Sequence, residues 1–133
     1  MNSGAGTDKA REILREYFGY DAFRRGQEEA VGAILSGRDA LCVMPTGAGK
    51  SLCYEIPAMV LSGITLVISP LVSLMQDQVR SLNALSIPSA FCNSTLSAAE
   101  YRDVLDGMAG GAYKLVYVAP ERLDSAEFCA LCT

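Results

Sequence analysis

Hydrophobic and polar positions along this chain follow two alternating patterns, one with helical spacing and one with unbroken apolar runs. Near the start, Thr7 is a candidate N-cap and Gly19 a stop signal for a helix with apolar positions at Ala10, Ile13, Leu14, Tyr17 and Phe18. Further helices are predicted at about residues 27–36, 71–82 and 97–108, the last opened by a Ser97–Glu100 capping box. Another follows residue 51, and Pro57 should kink it or begin its last turns.

Apolar runs between these helices predict strands, which are Ala40–Val43, Ile64–Ile68, Ser89–Cys92 and Lys114–Val118. The run Ile64–Ile68 lacks polar alternation, which is typical of a strand covered on both faces. Strands that alternate with helices predict parallel strands joined by right-handed crossovers. The predicted fold class is therefore α/β, with a parallel sheet and flanking helices.

Composition and charge limit the class of protein. A length of 133 residues allows at most one domain, and residues 1–6 have the composition of a flexible leader. We find no run of eighteen apolar residues and no signal peptide, so we expect a soluble, cytoplasmic protein without a membrane partner. The net charge of −4 argues against a broad basic surface, so any nucleic-acid contact must be local.

The five cysteines are Cys42, Cys53, Cys92, Cys129 and Cys132. An odd number spread over predicted strands and helices suits reduced, buried thiols better than a disulfide framework. The last two form a C-x-x-C pattern, but a second ligand pair is missing and the chain has no histidine. Chance spacing is the favoured interpretation of this pattern over a metal or redox site.

Residues 44–51, Met-Pro-Thr-Gly-Ala-Gly-Lys-Ser, follow an apolar run and precede a helix-compatible segment. In this setting small residues let backbone N–H groups converge on phosphate oxygens. Lys50 would place its ammonium group near the β and γ phosphates, and the Ser51 hydroxyl would bind Mg²⁺. A Gly-rich turn containing Lys-Ser by chance is the alternative, but the strand–loop–helix setting favours a nucleoside triphosphate site. Met44 departs from the consensus, which has glycine there.

Three segments of the sequence, with their order and spacing, resemble the motifs of the RecQ helicases, which are ATP-dependent DNA-unwinding enzymes of helicase superfamily two. Residues 44–54 are similar to the RecQ form of motif I, in which Met44 is expected, and residues 67–79 are similar to motif Ia and its following helix. Residues 18–20 with 23–27 are similar to motif 0. The resemblance runs from about residue 14 to 123 and implies a RecA-like lobe of a 3′-to-5′ DNA helicase acting in DNA repair and recombination. It implies a nucleoid- or nucleus-associated location.

Motif 0 makes physical sense as an adenine reader. The amide of Gln27 can donate to and accept from the N6/N7 edge of adenine, the Tyr20 ring can stack on the base, and Arg24 can add a charged contact. The alternative is that Gln27 caps or decorates its helix and Tyr20 packs in the core. The predicted ATP-binding residues are Tyr20, Arg24, Gln27, Pro45, Thr46, Gly47, Ala48, Gly49, Lys50 and Ser51, with Lys50 and Ser51 catalytic.

Ligands of parallel α/β sheets bind at the carboxyl ends of the strands, so the residues after each strand should share one edge. Helix N-termini and hydroxyl groups there can hold the phosphates of single-stranded or partially duplex DNA without a basic patch. The alternative is that these segments are capped, proline-stiffened turns. The predicted DNA-binding residues are Ser69, Pro70, Leu71, Asn93, Ser94, Thr95, Pro120, Glu121 and Arg122.

RecQ helicases carry an Asp-Glu-Ala-His motif beyond the segment that matches Ala119–Leu123, and this sequence has no such tetrapeptide. We therefore expect residues 7–133 to be part of a RecA-like domain that needs the remainder of the helicase core. Such a fragment should bind nucleotide without useful turnover, and an uncovered sheet edge could cause self-association. A non-catalytic nucleotide-binding protein, an RNA helicase and a chromatin translocase remain alternatives.

Overall fold

The structure, a computed structural model, describes residues 3–45 and 49–132. It consists of two units, residues 1–62 and 63–133, and each has its own hydrophobic cluster. The second unit contains a three-stranded parallel sheet with flanking helices. This architecture confirms the predicted α/β fold class and agrees with a partial RecA-like lobe.

The first unit is built from three helices, α1 (Ser3–Phe18), α2 (Gln27–Leu35) and α3 (Leu52–Val60). The apolar positions predicted for α1 face the inside of this unit, where Ala10, Ile13 and Leu14 are buried. They belong to a cluster whose other buried members are Val31, Leu35, Leu52 and Ile56. The periodicity therefore identified the buried face of α1, because apolar residues three and four apart lie on one side of a helix.

The beginning of α1 differs from the prediction. The helix starts at Ser3, so Thr7 lies inside α1 instead of capping it, and Ser3–Gly6 are helical. Gly6 is buried, and a Cβ atom placed there would lie 3.6 Å from Leu35 Cδ1. Packing of this small residue against α2 explains how a segment with the composition of a flexible leader becomes helical.

The predicted strand Ala40–Val43 is not a strand in the structure. Leu41 and Val43 are 92% and 89% exposed. A strand needs a neighbour that exchanges backbone hydrogen bonds with it, and among the described residues the sheet contains only the three strands of the second unit. The apolar composition of this run was therefore not sufficient to form a strand.

The second unit alternates strands and helices as the sequence predicted. In chain order these elements are β1 (Thr65–Ile68), α4 (Val72–Ala84), β2 (Ser89–Cys92), α5 (Ala98–Ala109), β3 (Leu115–Val118), the 3₁₀ turn η1 (Pro120–Asp124) and α6 (Ala126–Leu131). The strand order is β1-β3-β2, and both pairings are parallel, with Thr65 and Ser89 each opposite Leu115. The predicted capping box of α5 is present, since Ser97 and Glu100 exchange side-chain-to-backbone hydrogen bonds.

Burial differs between the strands of the sheet. The central strand β3 is buried along its whole length. In contrast, β1 has one described neighbour and is half-buried, with Ile68 52% exposed. The prediction of a strand covered on both faces is therefore wrong for β1 but describes β3.

All five cysteines are free, and Cys53 and Cys92 are buried as predicted. The other three, Cys42, Cys129 and Cys132, are exposed, so the prediction of buried thiols is wrong for them. No group of three potential metal ligands occurs among the described cysteine and acidic side chains. Within the same residues, every helix is too short or too polar to cross a membrane.

Candidate functional site

A cavity of about 310 Å³ lies in the first unit, between the turn that precedes α2 and the start of α3. Its lining residues are Tyr20, Ala22, Arg24, Gln27, Gly49 and Leu52. The cavity therefore brings the three predicted adenine-binding residues together with Gly49 of the predicted phosphate loop. Three loop positions, Thr46, Gly47 and Ala48, lie outside the described residues.

Gln27 connects the two predicted motifs directly. Its side chain is 1% exposed, its Oε1 accepts a hydrogen bond from the backbone N–H of Arg24 at 2.7 Å, and its Nε2 donates to the carbonyl oxygen of Gly49 at 3.0 Å. A buried amide must be hydrogen-bonded, because burying it without a partner costs about 1–3 kcal/mol. Gln27 thus has structural contacts on both sides of its amide, and it also lines the cavity.

Replacing Gly49 by any other residue would require the local structure to shift. Its φ angle is +74°, in the left-handed region that side chains disfavour, and a Cβ atom on Gly49 would overlap Gln27 Nε2. The backbone of Gly49 comes close enough to Gln27 to bond with it because nothing projects between them. The last glycine of the loop is thus required by this contact as well as by its conformation.

Tyr20 and Arg24 complete one side of the cavity. The Tyr20 side chain is 49% exposed, so the alternative that Tyr20 packs in the core is wrong. An exposed aromatic ring at the rim of a cavity has a free face on which a planar base can stack. The prediction that Tyr20, Arg24 and Gln27 read adenine stays a prediction, and their shared cavity is compatible with it.

At the start of α3, Lys50 is exposed and Ser51 is half-buried. Glu55 lies one helical turn after Ser51 and is 6% exposed. Burial raises the pKa of Glu55, and the nearby Ser51 hydroxyl partly offsets that rise. A hydroxyl and a carboxylate are oxygen ligands of the kind that Mg²⁺ prefers, so the residues fit the predicted cation site.

In the second unit, the segments that follow the three strands meet at one edge of the sheet, as parallel strands require. The Ser69 N–H donates to Val118, and the Ala119 N–H donates to Cys92, so adjacent strands end side by side. Ser69 Oγ also accepts from the N–H of Leu71, just before α4 begins. The side chains exposed at this edge are Pro70, Leu71, Ser94, Thr95, Pro120 and Glu121.

Asn93 and Arg122, two of the predicted DNA-binding residues, are engaged within the protein. Asn93 is 1% exposed, and its Oδ1 accepts from the N–H and the hydroxyl of Thr95. The Arg122 guanidinium donates to the Asn93 carbonyl oxygen at 2.9 Å and lies over the ring of Tyr101, 4.3 Å from its centre. These contacts match the alternative interpretation, in which such segments are structural turns, and the DNA assignments stay predictions.

Two residues of this arrangement were not identified from the sequence. Glu55 lies four positions after Ser51, and this spacing places both on one face of a helix. That spacing was the available signal. Tyr101 gave no comparable signal, because its contact with Arg122, 21 positions later, joins α5 to η1 and depends on the tertiary fold.

The three-stranded parallel sheet with flanking helices agrees with the architecture of a partial RecA-like helicase lobe. The sequence model of the DEAD/DEAH box helicases matches residues 24–130. That match covers most of the sequence, and the chain belongs to this family.

The chain is also similar in sequence to individual helicases of the RecQ type. The chain is 51% identical to the ATP-dependent DNA helicase RecQ of Bacillus subtilis over 121 residues, which are 90% of this chain and 20% of that protein. It is 49% identical to the Haemophilus influenzae RecQ helicase, covering 92% of this chain and 20% of the relative. With the ATP-dependent DNA helicase Q-like 5 of Arabidopsis thaliana it shares 45% identity over 98% of this chain and 14% of the relative. The RecQ resemblance predicted from the motifs is confirmed, and the chain spans about one fifth or less of these relatives.

Proposed function

We propose that this chain is the ATP- and DNA-binding portion of a RecQ-type 3′-to-5′ DNA helicase that acts in DNA repair and recombination. The observation that carries the proposal is the cavity that Tyr20, Arg24 and Gln27 share with Gly49. Adenine would occupy this cavity, and the phosphates would follow the loop towards Lys50 and Ser51, at the N-terminal end of α3, where helix dipoles favour anions. Relatives named as ATP-dependent DNA helicases support both ATP and DNA as partners.

Mg²⁺ belongs to this proposal as the cation bound with ATP. Ser51 would hold it, and it would neutralise charge on the phosphates. Lys50 would supply a further positive charge at the β and γ phosphates. We expect nucleotide binding without useful hydrolysis from this chain, since the acidic and arginine groups that act in phosphoryl transfer would come from the remainder of the helicase core.

DNA would bind at the carboxyl ends of the strands in the second unit. The exposed groups there, among them Ser94 and Thr95 and the turn before α4, could contact phosphate through hydroxyl and backbone N–H groups. We further propose that the edge of β1, half-buried in the described sheet, takes up the remainder of the core or a second copy of this chain. The location that fits this function is the cytoplasm, at the nucleoid, or the nucleus.

The base-recognition step can be tested with binding alone. We expect the unmutated chain to bind ATP more tightly than GTP, and Gln27→Ala to weaken ATP binding roughly 5- to 150-fold, from about 1–3 kcal/mol for an unpaired buried polar partner. Calorimetric titration with both nucleotides gives these values. Gln76→Ala, at an exposed glutamine of α4, is the matched control.

The two roles of Gln27 give different results in this experiment. If Gln27 reads adenine, its removal lowers the affinity for ATP more than that for GTP, so the preference is lost. A purely structural Gln27 would lower both affinities by the same factor. Equal affinities for ATP and GTP in the unmutated chain would contradict base recognition at this cavity.

The helicase assignment needs a longer protein and a DNA substrate. The 133-residue chain should show no measurable DNA-stimulated ATP hydrolysis, whereas the complete gene product should unwind DNA duplexes and not RNA duplexes. Robust hydrolysis by this chain, abolished by Lys50→Ala, would contradict the first expectation. Preferential unwinding of RNA would instead favour an RNA helicase, and a gene product without motor activity would favour a non-catalytic nucleotide-binding protein.

A further inference from the structure

The two cysteines of the C-x-x-C pattern lie at the end of α6. Cys129 belongs to its last turn, and Cys132 is the C-cap residue. Both thiol groups are free and exposed, although the sequence predicted buried thiols and favoured chance spacing. A thiol reacts with small molecules where they can reach it, so the exposure of both makes this pair a candidate for chemical modification.

The backbone places the two cysteine side chains next to each other. The N–H of Cys132 donates a hydrogen bond to the carbonyl oxygen of Cys129 at 3.1 Å. Residues three apart in a helix have Cα atoms about 5 Å apart, which lies inside the range of about 4.4–6.8 Å found in disulfides. Their Cβ atoms, about 5–6 Å apart, would have to approach each other by about 1–2 Å. Cys132 can make that movement because it lies beyond Leu131, the last residue of α6.

The surroundings of the pair leave each thiol with the other as its accessible neighbour in the second unit. Cys132 lines a cavity of about 400 Å³ beside β1 and the end of α5. The Cys129 Sγ donates to the carbonyl oxygen of Leu123 at 3.0 Å, and a thiol is a weak donor that can give up this bond. Cys92, the remaining cysteine of this unit, is 0% exposed. A small oxidant therefore reaches Cys129 and Cys132 but not Cys92.

We propose that Cys129 and Cys132 are a dithiol modification site, which low-molecular-weight disulfides oxidise reversibly to an intramolecular disulfide. One cysteine thiolate attacks a sulfur of the small disulfide, whose S–S bond breaks and releases one small thiol after protonation. The second cysteine then attacks the mixed disulfide and releases the other small thiol. In total the two cysteines lose two electrons and two protons, and the small disulfide takes them up as two thiols. This inference does not depend on the proposed function.

The test uses glutathione disulfide as the oxidant and a Cys42→Ser chain, which lacks the exposed cysteine of the first unit. Burial and the neighbouring Cys129 raise the pKa of Cys132, and the thiolate is the attacking form, so the reaction is followed for hours at about pH 8.5. The chain is then acidified, unfolded and alkylated, and its mass counts the remaining thiols. We expect the loss of two alkylated thiols, their recovery with dithiothreitol, and a peptide in which Cys129 is joined to Cys132.

Two matched variants separate ring closure from simple modification. With Cys129→Ser or Cys132→Ser added, the remaining cysteine should keep one glutathione as a mixed disulfide, because no second thiol displaces it. Stable mixed disulfides on both cysteines of the Cys42→Ser chain, or disulfides between chains alone, would overturn the inference.

A comparison with the unfolded chain tests whether the helical turn favours the bond. In buffers of reduced and oxidised glutathione, the folded chain should reach half-oxidation under more reducing conditions than the same chain in urea, because α6 holds the two thiols together. Half-oxidation of both forms in the same buffer would contradict that structural basis.

Discussion

Replacement of Gly49 by alanine tests the contact that joins the two sequence motifs. Gly49 has a φ angle of +74°, where a non-glycine residue costs about 1–2 kcal/mol. The new Cβ would also overlap Gln27 Nε2 and break the bond from that nitrogen to the Gly49 carbonyl oxygen. A buried amide that loses its partner costs about 1–3 kcal/mol more. We therefore expect Gly49→Ala to lower the free energy of unfolding by about 2–5 kcal/mol.

Gly37→Ala is the matched control for the backbone term. Gly37 belongs to the same unit and has a φ angle of +80°, but a Cβ atom there would meet nothing within 4 Å. Gly37→Ala should therefore lower the free energy of unfolding only by the conformational cost, about 1–2 kcal/mol. Urea unfolding followed by circular dichroism gives both free energies by linear extrapolation.

A double-mutant cycle isolates the overlap itself. In a Gln27→Ala background, the Cβ of residue 49 no longer overlaps the Gln27 side chain. Gly49→Ala should therefore lower the free energy of unfolding there by no more than Gly37→Ala does. Equal losses for Gly49→Ala and Gly37→Ala in the unmutated background would refute the reasoning. That result would mean that the contact between Gln27 and Gly49 contributes nothing measurable to stability.

Two further predictions concern the second unit. Arg122→Met should lower the free energy of unfolding by about 1–3 kcal/mol, because it removes a charged donor to Asn93 and the stacking on an aromatic ring; Arg80→Met, at an exposed arginine, should change it far less, and equal losses would contradict this account. At the start of α5, the backbone N–H of Ser97, and then its hydroxyl group, lower the pKa of Glu100 below its ordinary value of 4.5. The stabilisation by Glu100 is therefore present above pH 4.5 and is lost as the pH falls through the lowered pKa. Glu100→Ala should destabilise the chain at pH 7 and progressively less on acidification, measured by urea unfolding against Asp103→Ala; a loss that does not change with pH would refute the assignment.

Local patterns in the sequence predicted most of the regular structure. The apolar face of α1, the capping box of α5 and the strands β2 and β3 depend on interactions within a few residues or on apolar runs long enough to define a strand. The predicted adenine-binding residues also share one cavity in the structure. These features were accessible because their physical causes lie close together along the chain.

Errors occurred where a distant partner decided the outcome. The run Ala40–Val43 has strand composition, yet it remains unpaired, since a strand forms only where a neighbour accepts its backbone bonds. Residues 3–6 have the composition of a flexible segment but are helical, and Gly6 packs against α2. The bond from Arg122 to the Asn93 carbonyl oxygen also depends on a distant partner, and the DNA-binding role of both residues stays a prediction.

The sequence by itself determined the α/β class, the parallel direction of the strands and the resemblance to RecQ helicases, because these follow from periodicity and from short motifs. Only the tertiary structure decided that Gln27 bonds to Gly49 and that Arg122 lies over the ring of Tyr101. It also decided that β3 and not β1 is the fully covered strand. Burial and long-range hydrogen bonds depend on which segments meet in space, and the spacing of residues along the chain does not specify those partners.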